Sequence, residues 1–376
     1  MGNILDYEEM LDILNSFKNI KKVDDIGFSY YNLPICHYSY GHGKYHAIIV
    51  AGVHSSELIS NVFVIRFMEK LDKEKFIDED KFTLHFIPIF NPEGTLIVSS
   101  TIRSLLPRGA SLKAENLLCT CFYTNCKIDR EHALKYGRDN HKLIHEMFRY
   151  ADLKDLPSDL RDNVFKLLKD NDLSKGALIS WSNNGRGVDL NANLKDSDFI
   201  QRVKSGEVIY NDLHLNDLRR DVLGPLGCPY FKYGEIEKEN IALLNFYKSI
   251  YENYDFIGSF IYHSCGGIVY YLNETLVNNP WNSDINFEKN KLVALKYGTY
   301  SGYKLEGIDC YTTVDSMIKS LFPVTLLIEL GSVTGNPLSQ FIDNEDFNFA
   351  YSNTISKNTE ALCKTLDYMC EIYDKI

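Results

Sequence analysis

The stretch Tyr45-His46-Ala47-Ile48-Ile49-Val50-Ala51-Gly52-Val53-His54-Ser55-Ser56-Glu57 decides the fold. Ala47, Ile48, Ile49 and Val50 follow one another without a polar interruption, the pattern of a strand covered on both faces. Behind the strand come a glycine, a histidine and a glutamate. Leu58, Val62, Ile65 and Met68 then mark the buried stripe of a helix. Ahead of it, Ile35 to Tyr40 reads as another strand, connected through the turn Gly41-His42-Gly43-Lys44. Phe82 to Phe90 is a further strand, ending in the turn Asn91-Pro92-Glu93-Gly94. This strand–loop–helix–strand succession predicts a largely parallel α/β sheet.

Farther along, the pattern weakens and then returns. Ser99 to Leu178 carries short polar, helix-like stretches (His141 to Tyr150, Leu160 to Lys169) and no convincing strand. It reads as an insertion at about 99–178 within a single domain spanning 1–376. Glu235 to Glu252 reads as a helix. Phe256 to Tyr262 and Ile268 to Leu272 read as strands around His263-Ser264-Cys265-Gly266-Gly267, and Val324 to Leu330 as a β-branched and aliphatic strand. In the last helix, Leu362, Leu366, Met369 and Tyr373 share a face that covers the sheet.

Composition bounds the function. The chain has 376 residues, 45% hydrophobic and 24% charged, which excludes collagen, coiled coil and disorder. With 40 basic and 51 acidic side chains the net charge is −11, and no Lys/Arg-rich block exists to grip nucleic acid or an anionic membrane. The longest apolar runs fall far short of the ~20 residues of a membrane span. Met1 to Lys18 is acidic and amphipathic, unlike a secretory leader. Nine cysteines, an odd number, suit reduced thiols and a cytoplasmic location better than a disulfide scaffold. Cys119, Cys121 and Cys126, with His132 nearby, lack the Cys-x-x-Cys gap of a standard zinc pattern.

A dispersed quartet carries the chemistry. His54 and Glu57, His263, and Glu329 each lie at or just after the C-terminal end of an expected buried strand. That edge of an open α/β sheet is where ligands bind. Two imidazoles and a carboxylate are a sufficient protein set for catalytic zinc, with a fourth position left open. Glu329, closing Val324-Thr325-Leu326-Leu327-Ile328, would be costly to bury without a partner or a task. It is left over to take a proton from the attacking water.

These pieces resemble the zinc carboxypeptidases of the carboxypeptidase A type, and more narrowly the bacterial branch with γ-D-glutamyl-diaminopimelate peptidases. Gly52 to Glu57 is similar to the first zinc motif, and Asn91-Pro92-Glu93-Gly94 to the family's Asn-Pro-Asp-Gly turn. Trp181 to Asn191 resembles the substrate-binding segment, and Tyr262-His263-Ser264 the third-ligand motif. Ile328-Glu329-Leu330-Gly331, followed by Asn336-Pro337-Leu338-Ser339-Gln340-Phe341, resembles the catalytic glutamate and its downstream signature. The resemblance implies a mixed, mostly parallel eight-stranded sheet flanked by helices. It also implies one zinc held by His54, Glu57 and His263, with Glu329 as general base and then proton donor. The two histidines stand 209 residues apart, more than the family usually shows, and the 99–178 stretch absorbs the excess.

The departures concern substrate. Ala192 stands after Asn191 where the family has a carboxylate-gripping arginine, and Ser182 follows Trp181 where it has an arginine or lysine. Arg186 is a candidate for either role, as are Arg103, Arg108 and Arg130; the alternative for Arg186 is a solvated loop cation. By resemblance Tyr311 is the nearest counterpart of the tyrosine closing over substrate. Asp315 matches the specificity-loop aspartate and Val314 the pocket floor, which suggests an uncharged floor. The expected partner is a small peptide, with a cell-wall muropeptide as a plausible substrate. A deacylase of N-acyl amino acids and a zinc-containing peptide-binding module without turnover are the alternatives.

Overall fold

The computed structural model describes residues 4–106, 108, 148–191, 193, 236–272, 287–308, 322, 324–331, 341 and 351–373. In chain order the elements are α1 (Tyr7–Asn15), β1 (Lys21–Phe28), β2 (Pro34–Gly41), β3 (Tyr45–Ala51), α2 (Leu58–Glu74), β4 (Phe82–Ile87) and α3 (Pro92–Arg103). They continue with α4 (Ser158–Asp170), α5 (Lys238–Asn253), β5 (Asp255–Ser264), β6 (Ile268–Leu272), α6 (Phe287–Ser301), β7 (Lys304–Ile308), β8 (Thr325–Leu330) and α7 (Tyr351–Tyr373). The strands form one eight-stranded sheet in the order β1-β2-β4-β3-β5-β8-β6-β7. The run β4-β3-β5-β8 is parallel throughout, as is the edge pair β6-β7, and β1-β2, β2-β4 and β6-β8 are antiparallel.

The unbroken apolar run of β3 is explained by its central place. Ala47 and Ile49 enter the cluster containing α1, α2, α6 and α7 side chains, and Ile48 and Val50 the one built on α5. The turn after β2 sends the chain to β3, but β4 lies between the two strands. β8 likewise separates β5 from β6. β4 ends at Ile87, short of the expected Phe90. Ser99 falls inside α3, so the stretch expected as an insertion from about 99 starts within a helix. Its described residues contain no strand, and Phe148, Leu153, Leu160, Val164 and Leu178 share the main apolar cluster. Of the helix expected over His141 to Tyr150, Phe148–Tyr150 is a 3₁₀ turn and the rest lies outside the described residues, as do Cys119, Cys121, Cys126 and His132. Among the described residues no helix is long and apolar enough to cross a membrane, and Cys36 and Cys363 are free thiols.

On the α5 face, three adjacent strands present a row of buried histidines. His37 Nε2 lies 3.0 Å from His85 Nδ1, and His85 Nε2 lies 2.9 Å from His46 Nδ1. Phe246 packs on His37, and Tyr254 stacks on His46 at 4.2 Å between centroids. In a neutral row each imidazole has one donor and one acceptor nitrogen, so both contacts pair a donor with an acceptor. Burial pushes His37 down to about 4 and His85 to about 3, the latter helped by repulsion from its two neighbours. His46 is also lowered by burial, and Asp24 and Asp255 oppose the shifts on His37 and His46. These folded values lie below the ~6.5 of an unfolded histidine, so the unfolded chain takes up protons first on acidification. The melting temperature should therefore fall as pH drops from about 6.5 toward 4. Calorimetry of His85→Gln should show a smaller drop between pH 7 and 4.5 than wild type; an equal drop would contradict this role for the row.

Candidate metal centre

Gly52 makes the bend that carries the chain from β3 to His54. Its φ is +73°, and a Cβ there would meet Asn61 Nδ2 at 2.1 Å, so the turn tolerates only glycine. The loop is then stapled to a distant segment. The Ser55 hydroxyl donates to the carbonyls of Trp181 and Asn183, and Ser55 N–H donates to Ser182 O at 3.4 Å. Gly94 permits this close approach, because a Cβ there would lie 2.3 Å from Asn183 O and 2.5 Å from Ser55 Cβ. Glu93, fully buried beside it, accepts from the backbone N–H groups of Tyr31 and Gly185. The Asn-Pro-Glu-Gly turn thus locks the Trp181–Asn191 segment against the histidine loop.

Glu57 occupies the N-cap position of α2, yet its side chain makes no capping bond. It turns instead to two imidazoles: Oε1 lies 2.9 Å from His54 Nδ1 and Oε2 2.9 Å from His263 Nδ1. Ser264 N–H donates to the same Oε2 at 3.0 Å. The ligand atoms of the three side chains all fall within 4.8 Å of one another, and among the described residues no other such trio is found. His54 and Glu57 keep 21% and 14% of their side chains exposed and His263 1%, so two of the three groups are open to solvent and the third is covered.

The electrostatics suit a cation. Burial works against a charged His54, but the Glu57 and Asp189 carboxylates override it and hold the imidazole well above its usual value. Burial works against a charged Glu57 too, and the two imidazoles pull it down to about 2. The outer nitrogen of His54, Nε2, lies 3.3 Å from Asp189 Oδ1. A carboxylate on that nitrogen keeps its proton there, so a metal that displaces the Nδ1 proton would meet the Nδ1 lone pair. Two nitrogens and a carboxylate form the donor set of a zinc centre that keeps one position open, and the residues present fit that ion.

Glu329 is the direct register partner of His263 on the neighbouring parallel strand. Residues paired in this way point to the same face of the sheet, so Glu329 and His263 share one. Asp189 has a part that its place in the Trp181–Asn191 stretch leaves unread; the signal was a carboxylate two residues before Asn191. Asn191 is buried, and its N–H donates to Asp189 Oδ1 at 2.9 Å. Arg186 sends Nη1 to Glu237 at 3.2 Å and lies over the Tyr30 ring at 4.5 Å. Arg103 and Arg108 pair with Asp6, and with Glu9 and Glu8 respectively, at the start of α1. The Ser182 hydroxyl is 2.9 Å from that of Ser56. Tyr311, Val314, Asp315, Ala192 and Arg130 lie outside the described residues.

A family model described as zinc carboxypeptidase matches residues 7–317. Bovine thrombin-activatable fibrinolysis inhibitor, solved with tick carboxypeptidase inhibitor, aligns at a TM-score of 0.52 with 13% identity, covering 97% of this chain and 94% of that one. Carboxypeptidase A from Helicoverpa armigera aligns at 0.50 with 12% identity, covering 96% and 74%. At these identities the two structures speak for the fold, a mixed, mostly parallel eight-stranded sheet with flanking helices. A search of curated proteins gives no match. Replacing Asp189 with Asn should weaken zinc binding by about 10- to 100-fold in a chelator competition; an unchanged affinity would remove Asp189 from the centre.

Proposed function

The chain belongs to the zinc carboxypeptidase family, and from that premise we propose that it hydrolyses a peptide bond at the centre formed by His54, Glu57 and His263, with Glu329 as general base. The observation that carries the proposal is the Glu57 carboxylate reaching both imidazoles while Glu329 stands in register beside His263. Zinc, when bound by the trio, would acidify water and polarise the scissile carbonyl.

The remaining work falls to the chain's own groups. Asp189 holds the outer nitrogen of the His54 ring, and Ser264 N–H fixes Glu57. Glu329 takes the proton of the attacking water and passes it to the leaving amine, the double duty of one carboxylate in acid–base catalysis. Ser55, Gly94 and Glu93 keep the Trp181–Asn191 segment beside the site, so that Asn191 forms part of the substrate wall. Arg186 in this proposal anchors that segment through Glu237.

The proposed substrate is a small peptide, with γ-D-glutamyl-diaminopimelate cell-wall peptides the first to try. Support for that class is the resemblance of Asn336 to Phe341 to the bacterial signature, of which Phe341 alone lies among the described residues. Tyr311, Val314 and Asp315 are proposed as further substrate contacts on the same footing. In the zinc-loaded enzyme, Glu329→Gln should keep one zinc per chain and lose about 10²- to 10⁴-fold in kcat on a cell-wall peptide. A variant that holds zinc and hydrolyses at the wild-type rate would overturn the assignment of Glu329.

A further inference from the structure

Beneath the sheet, on the face opposite the centre, a chain of buried hydrogen bonds connects the ends of β5 and β8. Tyr262 precedes His263, and because strand neighbours alternate it points to the other face. Its hydroxyl lies 3.2 Å from that of Tyr297 on α6. Tyr297 donates to Asn358 Oδ1 on α7 at 2.9 Å. Asn358 Nδ2 donates to the Tyr303 hydroxyl at 2.9 Å and to Thr354 O at 2.8 Å. The Tyr303 oxygen also accepts from Gly331 N–H at 2.9 Å, two residues beyond Glu329. Tyr262, Tyr297 and Asn358 have no exposed surface.

The route ends where β8 would otherwise fray. At Gly331 the backbone turns to φ +77°. On one side β8 is held by the ladder to His263 and Ser264. On the other, Gly267 N–H donates to Glu329 O at 2.9 Å, and Lys304 N–H donates to Gly267 O at 2.9 Å. Tyr303 adds a bond at Gly331, the residue that follows the strand. Asparagine suits the junction because its neutral amide accepts from one tyrosine and donates to the other; aspartate only accepts, and leucine does neither. Burial raises all three phenols, so they remain protonated donors near neutral pH.

We propose that Tyr303 and Asn358 are positioning residues that hold the end of β8, and with it the Glu329 carboxylate, at the reacting centre. The inference rests on the reading of Glu329 as general base. A carboxylate misplaced by about 1 Å can lower a rate by about 10²-fold. The centre's ligands come from β5 and the loop after β3, so removing the Tyr303 hydroxyl should leave zinc bound.

Zinc-loaded Tyr303→Phe tests this against wild type with four readouts: zinc affinity, KM, kcat on the cell-wall peptide, and amide exchange over residues 325–331. The expected result is wild-type zinc affinity, KM within about twofold, kcat lower by about tenfold or more, and faster exchange at the end of β8. Tyr297→Phe, which leaves the bond from Tyr303 to Gly331, should show the same pattern more weakly and serves if Tyr303→Phe does not fold. Unchanged kcat with faster exchange would overturn the positioning role while leaving Glu329 as base. Loss of zinc would overturn it as well, since the network would then serve the metal ligands. A wild type that holds zinc and is inert toward every peptide would overturn both readings.

Discussion

One carboxylate shared between two imidazoles sets the terms for the rest of the molecule. Glu57 gives up capping α2 in order to face His54 and His263, and three ionisable groups gathered under partial burial need strong mutual compensation. The chain supplies it from separate places: the Ser264 N–H on Glu57 and Asp189 on the far side of His54. The two imidazoles come from parts of the sequence 209 residues apart, so the trio exists only when β3 and β5 pair in the observed register. The same parallel pairing continues to β8, which is why His54, Glu57, His263 and Glu329 reach one edge of the sheet.

Around this, packing acts as a template. Gly52 and Gly94 remove side chains where backbone must come close, and the Ser55 hydroxyl binds one loop to the other. The apolar interior fixes the strands while the polar residues stay at their C-terminal ends, the usual division of labour in an open α/β sheet. Ser182, at the position where the resemblance implies a cation, has its hydroxyl against that of Ser56.

The centre of the sheet was legible because burial on both faces leaves a continuous apolar run, as in Ala47 to Val50 and in Leu326 to Ile328. The edges were not. β1 reads Lys-Lys-Val-Asp-Asp-Ile-Gly-Phe and is largely exposed, and β7 is five residues with an internal glycine; neither pattern distinguishes a strand from a loop. His54, Glu57, His263 and Glu329 could be singled out because each lies at or just after the C-terminal end of a buried strand. Asp189 could not, since only the fold reveals that its oxygen meets His54 Nε2. The His37–His85–His46 row was hidden for the same reason: it depends on β4 lying between β2 and β3, an order that local pattern does not contain. Arg186 illustrates the limit of motif reading, because its partner Glu237 lies 51 positions away.

The central claim is that a single zinc ion sits among two imidazole nitrogens and a carboxylate. X-ray absorption at the zinc edge of the purified protein tests it most directly. The account predicts one zinc per chain with nitrogen and oxygen neighbours alone at about 2.0–2.2 Å; sulfur neighbours at about 2.3 Å would place the ion among cysteines and contradict it.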